Sequence, residues 1–348
     1  MKHHLSKFYC EHERIKILIL IGIIGLVIIL VRANNLLEKI YLSTSTNFGV
    51  SYSPNYAQAL GLDPKKTYQE ILHDLNVKNI RLAANWNEIN PRPFDSAQGK
   101  QYDFSDLNYY INEAGKNNVN VILTIGYKLF RWPECRSPGW LPLDNTKYRQ
   151  EKQLEMIKEV VNYYENNPTI TTWQVENEPL LQFGICPGSD KEFFQKEVDL
   201  VKSLSKKPIL LTDSGELSSW ITPMKLGDYF GTTLYRSVYD PRIGRFDYPF
   251  KPWFYRLKAS IVKKFFAPNN QKIMITELQT EPWTSEFVAE TPIADQLATF
   301  PISKMQDNVN YSKKVGFSDI YLWGVEWWYW MKSQGHPEYW EYAKSLFR

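Results

Sequence analysis

Ile170-Thr-Thr-Trp-Gln-Val-Glu-Asn-Glu-Pro179 and Lys272-Ile-Met-Ile-Thr-Glu-Leu278 decide how this chain folds. Each stretch opens with β-branched and apolar residues, the composition of a buried strand, and each reaches a carboxylate, Glu178 or Glu277, at or just past its end. The two glutamates are 99 residues apart, which is three strand–helix units of about 33 residues. Counting units outward gives further strand-like runs at 47–52, 79–84, 119–125, 207–212, 229–235 and 319–325. With 170–175 and 272–277 these make eight. Helix-like segments fall between them at 65–75, 105–117, 147–166, 190–206, 253–266, 294–315 and 337–347, with a short, weak one at 216–226. In 147–166, Leu154, Ile157, Val160, Val161 and Tyr164 recur at spacings of three and four, a helical stripe. Alternating strand and helix predicts an α/β fold with a parallel sheet, and eight units predict a closed (β/α)8 TIM barrel. A doubly wound open sheet is the alternative. In the barrel, Glu178 follows the fourth strand and Glu277 ends the seventh, at the rim where functional groups gather. Arg242–Pro252, rich in Pro, Phe and Arg, reads as a loop after the sixth strand and one wall of a cleft.

The N-terminus is different in kind. Ile17 to Val31 is an unbroken run of Ile, Leu, Val and Gly, preceded by Lys2, Lys7, Arg14 and Lys16. Fifteen helical residues span about 22 Å, short of the roughly 30 Å hydrocarbon core. Snorkelling by Lys16 and Arg32 closes that gap. A cleaved signal peptide is the rival reading, with Val31-Arg32-Ala33 as a small-residue site, but Arg32 sits directly after the run. A membrane anchor is the preferred reading. The expected division is a cytoplasmic basic tail at 1–16, a transmembrane anchor or signal helix at 17–32, a polar linker at 33–46 and the barrel at 47–348. By the charge rule the basic flank stays inside and the barrel lies outside the cytoplasm, membrane-anchored, or secreted if cleaved.

Composition removes several classes. The net charge is +3 and no basic tract occurs, so no nucleic-acid partner is expected. The five histidines stand at 3, 4, 12, 73 and 336, too scattered for a His-ligated metal or a Ser-His-Asp triad. No phosphate loop, dinucleotide fingerprint or Gly-x-Ser-x-Gly occurs in the barrel segment. No cofactor and no metal are expected, and the chain is expected to be a monomer. Aromatic residues make up 15% of the chain, which suits a core and also suits stacking against sugar rings. Outside the cytoplasm thiols oxidise. Cys10 precedes the apolar run, which leaves Cys135 and Cys186, each in a loop after a strand at one end of the fold. A Cys135–Cys186 disulfide stapling two rim loops is expected, with two free thiols as the alternative.

Asn177-Glu178-Pro179 behind Trp173-Gln174-Val175 resembles the acid/base motif of clan A, the large clan of retaining glycoside hydrolases that holds many cellulases, mannanases and β-galactosidases. Ile275-Thr276-Glu277-Leu278 is similar to its nucleophile strand. The resemblance spans about 47 to 348, but its sharp motifs are short. It implies Glu178 as acid/base and Glu277 as nucleophile, with Arg81 and Tyr235 beside the nucleophile. It further implies Asn177 on the sugar 2-OH and Trp323, or else Trp327, under the sugar. The segment from Trp86 through Asn90-Pro91, followed by Gly99 to Leu107, is also similar to second-unit sequences of the clan. The chemistry follows from two carboxyl groups, about 5–5.5 Å apart in retaining enzymes. One must be protonated at rest, its pKa raised by neighbouring charge, while the other must be ionised.

The implied function is an extracytoplasmic β-glycosidase acting on a β-linked poly- or oligosaccharide by double displacement. The alternatives are a catalytically silent saccharide-binding barrel or surface scaffold, and a transglycosylase on the same residues. Residue by residue, Glu178 could instead serve a helix N-terminus, Arg81 a barrel-floor ion pair, and Tyr235 and the tryptophans the core. Glu176 ranks second as the acid because no Asn precedes it, and Glu281 and Glu326 are reserve nucleophiles. Gly126-Tyr127 stands where cellulase-type families often carry a His, and Gln279 departs from the xylanase pattern. Family and sugar therefore remain open.

Overall fold

The computed structural model describes residues 2–92, 102–267 and 271–348, with the backbone alone for 2–15, 17 and 18. The side chains of Cys10, Lys2, Lys7 and Arg14, and residues Gly99 to Gln101, thus lie outside what is described. The strands are β1 (Asn47–Ser51), β2 (Asn79–Ala83), β3 (Asn120–Ile125), β4 (Ile170–Val175), β5 (Ile209–Asp213), β6 (Tyr229–Leu234), β7 (Lys272–Gln279) and β8 (Asp319–Trp323). All eight run parallel, and β8 pairs with β1 from Asn47↔Asp319 to Ser51↔Trp323, which closes the barrel. The open-sheet alternative is excluded. The helices used below are α1 (Lys2–Ser43), α2 (Pro64–His73), α3 (Ser105–Lys116), α4 (Thr146–Tyr164), α5 (Lys191–Leu204), α6 (Ile221–Leu226), α7 (Pro252–Phe266), α8 (Ile302–Val315) and α9 (Glu338–Leu346), with a further helix at Val325–Ser333 that carries Trp327. Starts are set by side chains: Asp63, Asn145 and Asp190 each accept the backbone N–H three residues on, as N-caps do.

Apolar faces of these helices pack on the outside of the strands, with Ile71, Ile111, Ile157, Val160, Val198 and Val309 fully buried. Inside the barrel two layers differ in character. Ile122, Leu210, Met274 and Tyr321 form an apolar floor. The Tyr321 ring fills the space that a side chain at Gly49 of β1 would need, since a Cβ there would lie 2.7 Å from it. Arg81, Thr124, Gln174, Thr212 and Thr276 are also wholly buried but polar, and Arg81 reaches the strand-end groups of the rim.

Three segments differ from the sequence expectation. The helix expected over 294–315 is broken into Ile293–Thr299 and α8, because Pro301 lacks an N–H and disfavours helical backbone at Phe300. The loop expected at 242–252 begins as a hairpin, with Ser237–Asp240 antiparallel to Gly244–Asp247. The linker expected at 33–46 is helical through Ser43, as the continuation of α1. Its last turns dock on the barrel through Asn34, Glu38 and Tyr41. Arg256 donates to Asn34 Oδ1, and Glu38 lies 3.9 Å from Arg256 and 3.8 Å from Lys314. The Tyr41 ring rests where a side chain at Gly316 would stand. Upstream, Ile19 to Val31 is exposed, and Ile19–Ser43 is long and apolar enough to cross a membrane.

Candidate active site

Glu178 stands on a strained turn. Past the end of β4 the backbone enters the left-handed region at Glu176 (φ 59°) and again at Glu178 (φ 47°), which costs about 1–3 kcal/mol for each non-glycine residue. Neighbouring groups hold the turn. The Glu176 carboxylate accepts the N–H groups of Tyr127 and Lys128, both at 2.6 Å, and Gln153 Nε2 at 2.7 Å. Asn177 N donates to Lys128 O at 2.7 Å, and Glu178 N donates to Thr212 Oγ1 at 3.0 Å. Glu176 is therefore spent on the backbone of the loop after β3 and drops out as the competing acid. Gly126 makes that possible: a Cβ there would lie 2.4 Å from Glu176 Oε1.

Arg81, rising from β2, joins the two rim motifs. Its Nη1 donates to Glu277 Oε1 at 2.9 Å and Ser51 Oγ at 3.2 Å, its Nε to Gln174 Oε1 at 2.6 Å, and its Nη2 to Asn177 Oδ1 at 2.6 Å. The ring of Phe130 lies 4.1 Å from the guanidinium carbon. Tyr235 OH donates to Glu277 Oε2 at 2.9 Å, so both oxygens of Glu277 are gripped. Burial, Glu277 and Glu178 push the Tyr235 hydroxyl far above its ordinary value and keep it a donor.

Glu178 sits in the opposite environment. Its Oε1 accepts from the neutral Thr233 hydroxyl at 3.1 Å. Burial first, then the negative charges of Glu277 and Glu134, raise its pKa well above the usual carboxylate range, against the opposing pull of Lys128. Glu134 was not found from sequence. It lies in the loop after β3, which has no periodicity to mark it; its one signal is that it adjoins Cys135 at a strand-end loop. Glu134 is 3.3 Å from Lys128 Nζ and is itself pushed up to about 7, chiefly by burial. Lys128 also donates to Glu178 O at 2.9 Å and Leu181 O at 2.7 Å. Cys135 is disulfide-bonded to Cys186, with Cα atoms 5.3 Å apart, which ties the Glu134 loop to the loop that follows Glu178.

The aromatic candidates divide. Trp323 is at the rim, one face covered by Arg131 at 4.0 Å and its edge against Phe130. Trp86 is buried among Tyr127 and Trp140. Trp327 does not serve: it is wholly buried, packs on Phe300 and Tyr339 and donates to Gln296 at 2.7 Å. The reserve nucleophiles Glu281 and Glu326 share a different cation, buried Arg131, which pairs with Glu281 and, at 2.7 Å, with Glu326. Sequence reading missed a second aromatic group: Trp283 stands edge-on to Tyr235 at 5.2 Å, and Phe183 joins it to exposed Trp132. Among the described residues no group of three or more His, Cys, Asp or Glu is arranged to hold a metal.

No protein-family model matches the chain, and no curated protein matches it. Solved structures do. A GH5_18 protein from Bifidobacterium longum subsp. longum aligns over 80% of this chain and 70% of its own, with a TM-score of 0.57 and 12% identity. A variant of it in complex with Manβ1-4GlcNAc gives a TM-score of 0.56 at 11% identity, covering 80% and 68%. A β-galactosidase from the haloarchaeon Halorubrum lacusprofundi gives 0.53 at 13% identity over 80% of this chain, which spans about half, 52%, of that protein. At these identities the likeness is one of architecture, and the chain has the closed-barrel fold of these glycoside hydrolases.

Proposed function

We propose that the chain is a retaining β-glycosidase of clan A, with its barrel outside the cytoplasm, in which Glu178 is the acid/base and Glu277 the nucleophile. One observation carries this reading: two rim carboxyl groups lie in opposed environments. Glu277 is held at both oxygens by Arg81 and Tyr235, whereas Glu178 is buried among negative charges that favour its proton. That division is how one site keeps an acid and a nucleophile at the same pH. Glu178 gives its proton to the leaving oxygen as Glu277 attacks the anomeric carbon. A covalent glycosyl-enzyme forms, and water then displaces it, with Glu178 taking the proton back. Arg81 and Gln174 engage the Asn177 oxygen, which turns its NH2 toward the position of a sugar 2-OH. Trp323 and the Trp283–Phe183–Trp132 group line the sugar path. A silent barrel is disfavoured because binding alone does not call for two carboxyl groups poised in this way.

The test is hydrolysis of aryl β-galactosides and β-mannosides, the sugars that the structural neighbours name, and of aryl β-glucosides, with the full chain in detergent. Glu277→Ala and Glu178→Ala should each lose roughly 1,000-fold or more on an unactivated substrate. Azide should then restore turnover with distinct products, an α-glycosyl azide from Glu277→Ala and a β-glycosyl azide from Glu178→Ala. Full activity in both variants would sink the assignment.

A further inference from the structure

The direction of α1 has a consequence for what reaches the cleft. α8 starts at the rim and descends to the base, where Gly316 and Asp319 lead into β8. α1 runs beside it in the same sense: Tyr41 meets Gly316, Glu38 meets Lys314, and Asn34 lines a cavity of about 570 Å³ with Asp307 and Asn310. Traced toward its N-terminus, α1 therefore climbs from base to rim. Asn34 lines the same cavity as Lys251, Pro252 and Trp253, at the rim end of α7. Just beyond it come Arg32 and then the exposed apolar run. A bilayer around that run would therefore lie on the rim side of the barrel.

The rim has the chemistry for such a neighbour. Trp132 after β3, Ile185 after β4, Leu217 after β5, Ile243 after β6 and Trp253 at the start of α7 are all exposed, Ile243 to 70%. Single exposed apolar residues are ordinary, but these come from successive loops at one end. The base loops at 74–78, 117–119, 165–169, 205–208 and 316–318 expose no large apolar residue. Phe265 and Phe266 are exposed near the base, on α7 itself. Arg245 and Lys251 add exposed positive charge at the rim, suited to anionic headgroups, and tryptophan favours the membrane interface.

We propose that the barrel stands with its catalytic rim against the bilayer that holds α1, so that the cleft takes β-linked saccharides carried on lipid headgroups at that surface. The orientation rests on α1 staying uncleaved, and the substrate class rests on the glycosidase reading above. The full chain is reconstituted in phosphatidylcholine–phosphatidylglycerol vesicles. On a Cys10→Ser background, an environment-sensitive fluorophore is placed at Ile243→Cys on the rim or at Lys206→Cys on the base, without reductant. A headgroup spin-labelled lipid should quench the rim label several times more strongly than the base label. Equal quenching, or stronger quenching at the base, overturns the orientation, as does recovery of a chain cleaved after the apolar run.

In the same vesicles, Ile185→Glu with Leu217→Glu should slow hydrolysis of a β-linked disaccharide on a hexadecyl chain by roughly tenfold. Hydrolysis of a soluble aryl β-glycoside should be unchanged. Equal rates of wild type and variant on the hexadecyl substrate overturn the lipid-borne substrate. Inactivity of the wild type on every soluble β-glycoside overturns the glycosidase reading instead and leaves the quenching result standing.

Discussion

Glu134 is the residue whose role is most sharply testable. It is a buried third carboxyl group whose charge raises the proton affinity of Glu178. Glu134→Gln removes that charge while keeping the shape, so Glu178 should lose its proton at lower pH. A retaining enzyme needs that proton for its first step, so the alkaline limb of kcat/KM should move to lower pH, with the acid limb little changed. A profile on an aryl β-glycoside checks this, and an unmoved alkaline limb refutes it. The sequence pointed to Glu178 and Glu277 because each ends or follows a strand-like run, and to Arg81, Tyr235 and Asn177 through the resemblance to clan A. It did not expose Glu134, Lys128 or Trp283, whose places depend on loop geometry. It also could not separate Trp327 from Trp323, four residues apart, because only packing shows that one is sealed in the helix layer.

Among the elements, the end of β4 is joined to the middles of α4 and α5 by an acid pair. Glu176 and Glu197 are both buried, Gln153 of α4 donates to each, and burial raises the pKa of both. A carboxyl group whose folded pKa is raised contributes stability that is present at low pH and lost as pH climbs from its unfolded value through the folded one. Unfolding free energy should therefore fall as pH is raised over a range that starts at the ordinary glutamate value. Glu197→Gln, which deletes one titration and one negative charge, should make that fall shallower; urea melts at the two ends of the range measure it. An unchanged slope would show that the pair is not titrating there.

The rim loops carry a second element-level prediction. The disulfide closes a sequence separation of 51 residues, so Cys135→Ser with Cys186→Ser should cost about 2–4 kcal/mol of stability. It should also lower kcat, because Glu134 adjoins the lost crosslink. Normal kcat with reduced stability would confine the disulfide to folding. The eight strands were legible because both faces of each are covered, giving dense apolar runs. The break at Phe300-Pro301 and the hairpin after β6 were not read, although proline chemistry alone would have given the first.

At the scale of the molecule, composition gave a barrel on an apolar helix, and the structure adds how the two are joined. The segment expected as a short polar linker is helical through Ser43 and covers part of the barrel wall. That bears on where a fragment holding the whole barrel should begin. A truncation starting at residue 46 would strip Asn34, Glu38 and Tyr41 from the wall, baring Gly316 and removing the carboxylate beside Arg256 and Lys314. One starting at residue 33 keeps all three and discards only the apolar run. The longer fragment should be the more soluble and should melt several degrees higher, which differential scanning calorimetry of the pair would measure. Equal melting temperatures would mean that the docked turns add nothing to the fold. The practical boundary of the folded barrel then lies inside α1 and ahead of the first strand.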